Sequence, residues 1–477
     1  MALRIHDTRS RSKRELVTLE EGKVGLYACG ITPYSSSHIG HARQAISFDI
    51  IVRWLRKSGF EVNYITNFTD VDDKIISAAN EEGVDFLEIA NRYIAEYFTV
   101  MDAMNVIRAD AYPRVTETIP EIIDMVSTLV ESGHAYVAED GVYFEIDTAP
   151  EKFGQLTGQT LEMVRAGAGG RVEDTGSGKR DHRDFALWKM SKPDEPSWKS
   201  PWGAGRPGWH IECSAMSLKH LGEKFDIHGG GSDLLFPHHE AEIFQSECCL
   251  GHEPVVQYWI HNGMINVDGD KMSKSLGNFW TIGDALEQVD PLVLRYTLIN
   301  APYRQPVDFN SVMVDDSQIH HGRLGSVYGE GLLLGGTGEW EGYDELSEST
   351  ERLKAGMDDD FNTRVALVEV QSVARHLRAL LDSGDSGNEI AACVSWISEF
   401  AGGTLGLLPD DEDVLLSMEK KSLASAEVSP RVEELLVERE TARAEKDWRR
   451  ADEIRDELTG MGVVVEDGPD GPTWRLD

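Results

Sequence analysis

Apolar positions change period along the first 70 residues, and the change separates strands from a helix. Val24–Cys29 is a short apolar run and reads as a buried strand, followed by a loop over Gly30–Ser37. From His38 to Lys57 apolar residues recur at helical spacing, with Ile46, Ile50 and Trp54 on one stripe, and Gly59 supplies a stop just past the end. A second strand, Glu61–Asn67, follows at once. Strand, helix and strand in succession predict a right-handed parallel crossover. Such sheets take ligands beyond the carboxyl ends of their strands, where Cys29 and Asn67 fall.

The same passage returns later in the chain. Phe225–His228 leads into Gly229-Gly230-Gly231-Ser232-Asp233, then into a helix carrying His238, His239, Glu240 and Glu242, so two halves of one sheet are expected. The residues between the halves read as an insertion with a helix near Ile119–Ser132, a strand around Val142–Ile146 and a mobile loop rich in Gly and charge over Arg165–Arg180. Gly335–Tyr343 is the expected linker, and helical patterns resume after it to about Ala401. The last unit, Ser429–Asp477, reads as helices followed by a short strand, Val463–Glu466, and a turn over Asp467–Pro472.

Composition narrows the class. A chain of 477 residues is too long for one compact core and divides into about three or four units. No run of about 18 apolar residues occurs, so a membrane span is not expected. Met1–Arg14 is charged and lacks an apolar centre, so it is not read as a secretory leader, and a cytoplasmic location is expected. Five scattered cysteines are too few for a disulfide framework.

Charge changes the picture further. With 83 acidic against 46 basic residues the net charge is −37, which argues against a nucleic-acid partner. Yet the acid is spread over the whole length, and 17 Lys stand against 29 Arg. That pattern suggests a halophile's adaptation to a salt-rich cytoplasm. At about 1 M salt the Debye length falls to roughly 3 Å, so a polyanion could still approach.

Two short motifs carry candidate chemistry. His38-Ile39-Gly40-His41 opens a helix directly after a strand and loop, where two imidazoles and a glycine suit nucleotide phosphates. Lys271-Met272-Ser273-Lys274-Ser275 lies between Gly269 and Gly277, and its lysines could neutralise a departing pyrophosphate as the loop closes. Either alone has a bland reading, as incidental histidines or a solvated loop. Both in this order on this topology do not.

With these, the chain resembles the class I aminoacyl-tRNA synthetases, and among them the cysteinyl-tRNA synthetases. The resemblance covers nearly the whole chain and rests on Tyr27-Ala28-Cys29-Gly30, His38–His41, Asn67-Phe68-Thr69-Asp70-Val71-Asp72-Asp73-Lys74, Gly208-Trp209-His210-Ile211-Glu212-Cys213, His228–Glu242 and Lys271–Ser275. It implies an α/β fold: a Rossmann-type parallel-sheet catalytic domain with an insertion, then an α-helical bundle and a small α+β anticodon-binding module. The implied boundaries are 1–110 and 201–260 for the two catalytic halves, 111–200 for the insertion, 261–334 for the junction, 344–410 for the bundle and 429–477 for the anticodon module. Glycines at Gly322, Gly325, Gly329 and Gly331 are expected to interrupt what the family builds as helix, leaving residues 310–345 without firm boundaries.

The resemblance also implies the chemistry. One zinc ion per subunit would be held by Cys29, Cys213, His238 and Glu242, with His239 as the competing ligand if the helix register differs. Independently, His238 and Glu242 are four residues apart and share one helix face. Serine and cysteine are near-isosteres that an apolar pocket would separate by only about 10²-fold, whereas zinc takes sulfur by affinity. The implied reaction activates L-cysteine with ATP and Mg2+ to cysteinyl-adenylate and transfers it to the 3′ end of tRNA(Cys). His38, His41, Lys271 and Lys274 would surround the phosphates, Gly231 and Asp233 would hold the adenosine, and Thr69 and Trp209 would line the amino-acid pocket. Arg443, Trp448, Asp452, Arg455 and Asp467 would read splayed anticodon bases by stacking and edge hydrogen bonds. The rivals are a cysteine:amino-sugar ligase of the same ancestry and a non-catalytic tRNA-binding paralogue.

Overall fold

The computed structural model describes residues 2–160, 178–193, 195–267, 269–271, 280–384, 387–468 and 471–476. An amino-terminal hairpin, β1 (Arg4–Asp7) and β2 (Ser12–Glu15), precedes the first crossover. That crossover is β3 (Lys23–Ile31), α1 (Ile39–Lys57) and β4 (Glu61–Phe68). His38 caps α1: its Nδ1 accepts from the Gly40 N–H (3.1 Å), and His41 Nδ1 accepts from the His38 N–H (3.3 Å). Two orphan amides of the first turn are thereby satisfied by the motif that the sequence singles out. Helices α2 (Asp73–Glu82), α3 (Phe86–Ala103) and α4 (Ile119–Glu131) follow.

The insertion forms its own antiparallel sheet. Strands β5 (Ala135–Val137), β6 (Gly141–Phe144), β7 (Phe185–Met190), β8 (Trp198–Ser200) and β9 (Gly203–Pro207) pair in the order β5-β6-β7-β9-β8. Most of the loop expected over Arg165–Arg180 lies outside the described residues. The second catalytic half is α5 (Trp209–Leu221), β10 (Phe225–Gly231), α6 (Glu240–Leu250) and β11 (Val256–Asn262). The four main strands form one parallel sheet in the order β11-β10-β3-β4. Its carboxyl edge therefore collects Cys29, Asn67, Gly231 and Asn262.

Two glycine-rich stretches differ from expectation, for the same physical reason. Gly229–Gly231 continue β10 instead of forming a loop, paired with Ile260–Asn262 of β11. A Cβ on Gly229 would stand 2.5 Å from the Phe48 ring of α1, so the bare backbone is what lets that helix lie against the sheet. Likewise Ser311–Gly335 is one continuous helix of 25 residues, correcting the expected interruption by its glycines. Cβ atoms on Gly331 and Gly335 would meet Val394 and Ile390 at 2.7 Å, so close packing on the next helix compensates their low helix propensity. This helix is α9; before it lie β12 (Ile265–Val267), β13 (Asp270–Lys271), α7 (Ile282–Leu286), α8 (Pro291–Ile299) and β14 (Val307–Phe309).

Helices α10 (Asp344–Asp358), α11 (Thr363–Asp382) and α12 (Asn388–Ile397) complete the bundle. Its core is continuous with one face of the parallel sheet through α1, while the insertion shares the core on the other face. The last unit begins inside a long helix, α13 (Asp411–Ala444), which runs through the expected start at Ser429. After α14 (Trp448–Gly460) comes a hairpin, β15 (Val463–Gly468) and β16 (Gly471–Leu476), where one strand and a turn were expected. A separate small core of Val432, Leu435, Leu436, Ile454, Leu458 and Val463 holds this unit.

Candidate active site and metal centre

Cys29 enters the site from the carboxyl end of β3, and His238, His239 and Glu242 from the turn into α6. All four are at most 2% exposed. One donor atom from each lies within 4.8 Å of all the others. Cys29 Sγ is 3.6 Å from Glu242 Oε1 and 3.3 Å from His239 Nε2, and His238 Nε2 is 3.2 Å from Glu242 Oε1. The remaining ring nitrogens are engaged outward, His238 Nδ1 with His210 (3.0 Å) and His239 Nδ1 with His261 Nε2 (2.7 Å). His261 Nδ1 is in turn bonded to the Thr8 hydroxyl (2.9 Å). Such outer partners fix the tautomer and orientation of a ligating imidazole.

The electrostatics are those of donors without a countercharge. Burial, reinforced by neighbouring Cys213, pushes the Cys29 thiol well above its usual range, and burial does the same to the Glu242 carboxyl. Burial also holds His228, His238 and His239 neutral, far below the ordinary histidine range, and lowers His210 to about 4 and His261 to about 3. Glu242 Oε2 is buried without a hydrogen-bond partner among the described residues. A thiol, neutral imidazoles and a carboxylate with an unmet lone pair fit a borderline-soft divalent cation, whose charge would offset the cost of ionising them.

Cys213, on α5, borders this group without joining it. Its thiol interacts with the Cys29 thiol and stands 3.7 Å from Asn67 Oδ1. The bond to Cys29 pulls its pKa down, but burial and the Glu242 and Glu212 charges leave it raised. Of the four ligands expected from sequence, Cys29, His238 and Glu242 are thus grouped, the competitor His239 is grouped with them, and Cys213 lies alongside.

Thr69 is buried and donates to Glu212 Oε2 (3.2 Å). Trp209 is not core: it is 40% exposed at the start of α5, its ring 4.5 Å from that of His238. Across the sheet edge, the His38 and His41 rings stack at 3.7 Å. Burial, with His38 and Lys74 adding to it, lowers the His41 pKa well below its usual value. The Gly231 N–H donates to Gln44 Oε1 (3.1 Å), and Asp233 is exposed in the short turn that follows β10. The Lys271 backbone pairs with Asn266, while its side chain and all of Lys274 lie outside the described residues.

In the last unit Trp448 is 60% exposed at the start of α14, Arg443 is exposed on α13, and Asp452 and Arg455 pair at 3.5 Å. Asp467 sits in β15, its backbone opposite Pro472. His261, Thr8 and Tyr27 were missed as site residues. The available signal was position: Tyr27 and His261 lie near the carboxyl ends of buried strands, and Thr8 is polar at a hairpin turn.

A parallel sheet with a histidine-capped first helix and donors gathered at its carboxyl edge defines a class I aminoacyl-tRNA synthetase. Residues 15–319 match the family described as tRNA synthetases class I (C) catalytic domain, 352–409 match the DALR domain, and 425–475 match the cysteinyl-tRNA ligase anticodon binding domain. Among solved structures, the methionyl-tRNA synthetase of Mycobacterium tuberculosis in complex with methionyl-adenylate shares the fold at a TM-score of 0.60 and 15% identity, over 82% of this chain and 93% of that one. The ternary complex of Agrobacterium radiobacter K84 agnB2 LeuRS with tRNA and LeuAMS does so at 0.62 and 11%, over 83% and 85%. The chain is 47% identical over 475 residues to the cysteine–tRNA ligase of Shewanella sediminis, covering 99% of each, and 45% identical over 485 residues to that of Geobacter sulfurreducens, covering 100% of each.

The chain belongs to the cysteine–tRNA ligase family. It activates cysteine with ATP and charges tRNA(Cys), and the match over 425–475 removes the reading as an amino-sugar ligase, which would have no use for an anticodon domain. Among the described residues no helix is long and apolar enough to cross a membrane.

Proposed function

We propose that this ligase selects its amino acid through a zinc ion held by Cys29, Cys213, His238 and Glu242. The observation that carries the reading is the buried group of Cys29, His238, His239 and Glu242, with a second thiol beside it. When bound, zinc would take the substrate sulfur as a ligand and so separate cysteine from serine by affinity for sulfur. Trp209 would cover the open side of the pocket, and Thr69, fixed by Glu212, would present a hydroxyl to the amino acid. The tight group itself favours a second set in which His239 replaces Cys213.

The chain's own residues would then position and stabilise charge. No protein nucleophile is required: the cysteine carboxylate attacks the α-phosphate of ATP, with Mg2+ on the nucleotide, and pyrophosphate leaves. His38 and His41 lie at the amino end of α1, where free N–H groups and the helix dipole favour phosphate. His41 is held neutral, so it would donate or accept a hydrogen bond without adding full charge. Lys271 and Lys274 would neutralise the departing pyrophosphate. Gly231 would admit the adenosine close to the backbone, and Asp233 would accept from a ribose hydroxyl. Catalytic residues thus fall in 1–110 and 201–260, the lysine loop in 261–334, and anticodon contacts from Arg443, Trp448, Asp452, Arg455 and Asp467 in 429–477, with 111–200 the insertion and 344–410 the bundle.

Metal analysis of the purified protein with cysteine-dependent ATP–pyrophosphate exchange tests the zinc reading. Cys213→Ser should release the metal and abolish exchange while His239→Gln retains both; the reverse pattern selects the second set. Exchange that persists without metal contradicts both. The dispersed acid is read as adaptation of a cytoplasmic enzyme to high salt: charging should rise toward about 1 M KCl, and an optimum below about 0.2 M contradicts that.

A further inference from the structure

Acid covers most of this chain, and the amino-terminal hairpin departs from it. Arg4, Arg9, Arg11, Lys13 and Arg14 fall within residues 4–14 against one acid, Asp7. Three of the five cations are neutralised in place: Arg9 by Glu247 at 2.6 Å, Lys13 by Asp359 at 2.8 Å and Arg14 by Asp7 at 3.0 Å. Arg11, at the tip, is exposed and has no acidic partner among the described residues. It also holds a φ of +54°, a conformation that side chains with a Cβ rarely adopt without a reason.

Arg11 is tied to the pocket from two sides. Three residues before it, Thr8 starts a relay of hydrogen bonds through His261 (2.9 Å) and His239 (2.7 Å) to Cys29 Sγ (3.3 Å). On the other side its guanidinium packs over Gly158, where a Cβ would come within 2.1 Å of Nη2. The turn before Gly158 hangs on Glu240, whose carboxylate accepts from the N–H groups of Gly154 (3.1 Å), Leu156 (3.0 Å) and Thr157 (2.9 Å). Glu240 adjoins His239 in the chain. A cation without an acidic partner among the described residues is therefore connected to the pocket on the β11 side of the sheet, whereas the histidine cap of α1 follows β3.

We propose that Arg11 binds a phosphate of the 3′-terminal strand of tRNA as it enters the pocket. The inference rests on reading that pocket as the amino-acid site. ATP offers the same phosphate chemistry, but its expected cradle is the α1 side, and a guanidinium with no acidic partner among the described residues is the group a backbone phosphate would meet at this rim. On a surface this acidic, one such contact should weigh heavily in tRNA affinity.

The test uses the full-length enzyme with Arg11→Asn and Arg11→Lys, measuring tRNA charging, cysteine-dependent exchange and thermal melting. Asn tolerates the left-handed conformation, so Arg11→Asn should melt no lower than wild type while its KM for tRNA rises about fivefold at 0.1 M KCl. Exchange, including KM for ATP, should be unchanged, and Arg11→Lys should lose less. Removing one single-strand phosphate contact makes the salt slope shallower by about 0.7, so the fivefold gap should close by about 1 M KCl. An unchanged tRNA KM, parallel salt curves, a lower melting temperature, or exchange falling together with charging would each overturn the proposal. If the pocket reading itself fails, wild-type exchange survives metal removal, and the tRNA measurements still decide the role of Arg11.

Discussion

Cys29, His238, His239 and Glu242 are at most 2% exposed and converge from β3 and α6, which a continuous core holds in register; Trp448, by contrast, is 60% exposed on a unit with a separate core of six buried residues. The first arrangement makes donors rigid and desolvated, so small chemical differences between amino acids are felt strongly. The second leaves an aromatic ring exposed, which the proposed reading sets against bases that must themselves splay out. On the proposed reading, selection of the amino acid and recognition of the anticodon would fall in regions with opposite solvent exposure, and the two half-reactions allow each to be damaged alone.

The strongest break in this separation should come at the metal pocket. In the wild type, exchange should favour L-cysteine over L-serine by at least about 10⁴, the level reached by sites that bind a distinctive group, and chelation should abolish the cysteine-dependent exchange. Metal-depleted enzyme that kept the full preference would contradict the account. Smaller, and still confined to the pocket, is the relay of outer partners: His210→Asn should weaken zinc affinity about 10- to 100-fold in chelator competition, because His238 loses its 3.0 Å partner. Full affinity in that variant would remove the relay from the account.

Damage to the exposed unit should show the opposite signature. Trp448→Ala should cost about 1–3 kcal/mol of tRNA binding, the range for a lost base stack, with exchange unaltered. The smallest effect concerns the hairpin's clamp on β11. Burial alone would raise the Asp7 carboxyl, but the N–H groups of Trp259 (3.0 Å) and Ser10 (3.0 Å) and the Arg14 guanidinium hold it below its usual 3.8. Its contribution is therefore present at neutral pH and lost as the pH falls through 3.8 and below. Asp7→Asn should cost about 1 kcal/mol at pH 7 and flatten the acid limb of the stability curve; an unchanged acid limb would count against the clamp.

Much of the pocket was legible before the structure. Cys29 ends an apolar run, and His238 and Glu242 share a helix face by spacing alone. His239 was weighed only as the competing ligand, and its grouping in place of Cys213 could not be decided, because it depends on how the turn before α6 enters the helix, which no periodicity encodes. Glycine misled twice. Gly229–Gly231 and Gly331 punctuate the sequence as breakers, but their contacts with Phe48 and Val394 are tertiary and visible only once the helices are packed. The relay from Thr8 to His261 joins residues more than 250 apart. Its members meet only because the hairpin leans on β11, which local sequence does not reveal.

Zinc K-edge absorption of the purified enzyme, recorded with and without L-cysteine, tests the central claim most directly. The account predicts one additional sulfur at about 2.3 Å on adding cysteine and none on adding serine. A zinc environment unchanged by cysteine, with exchange activity intact in the same sample, would contradict it.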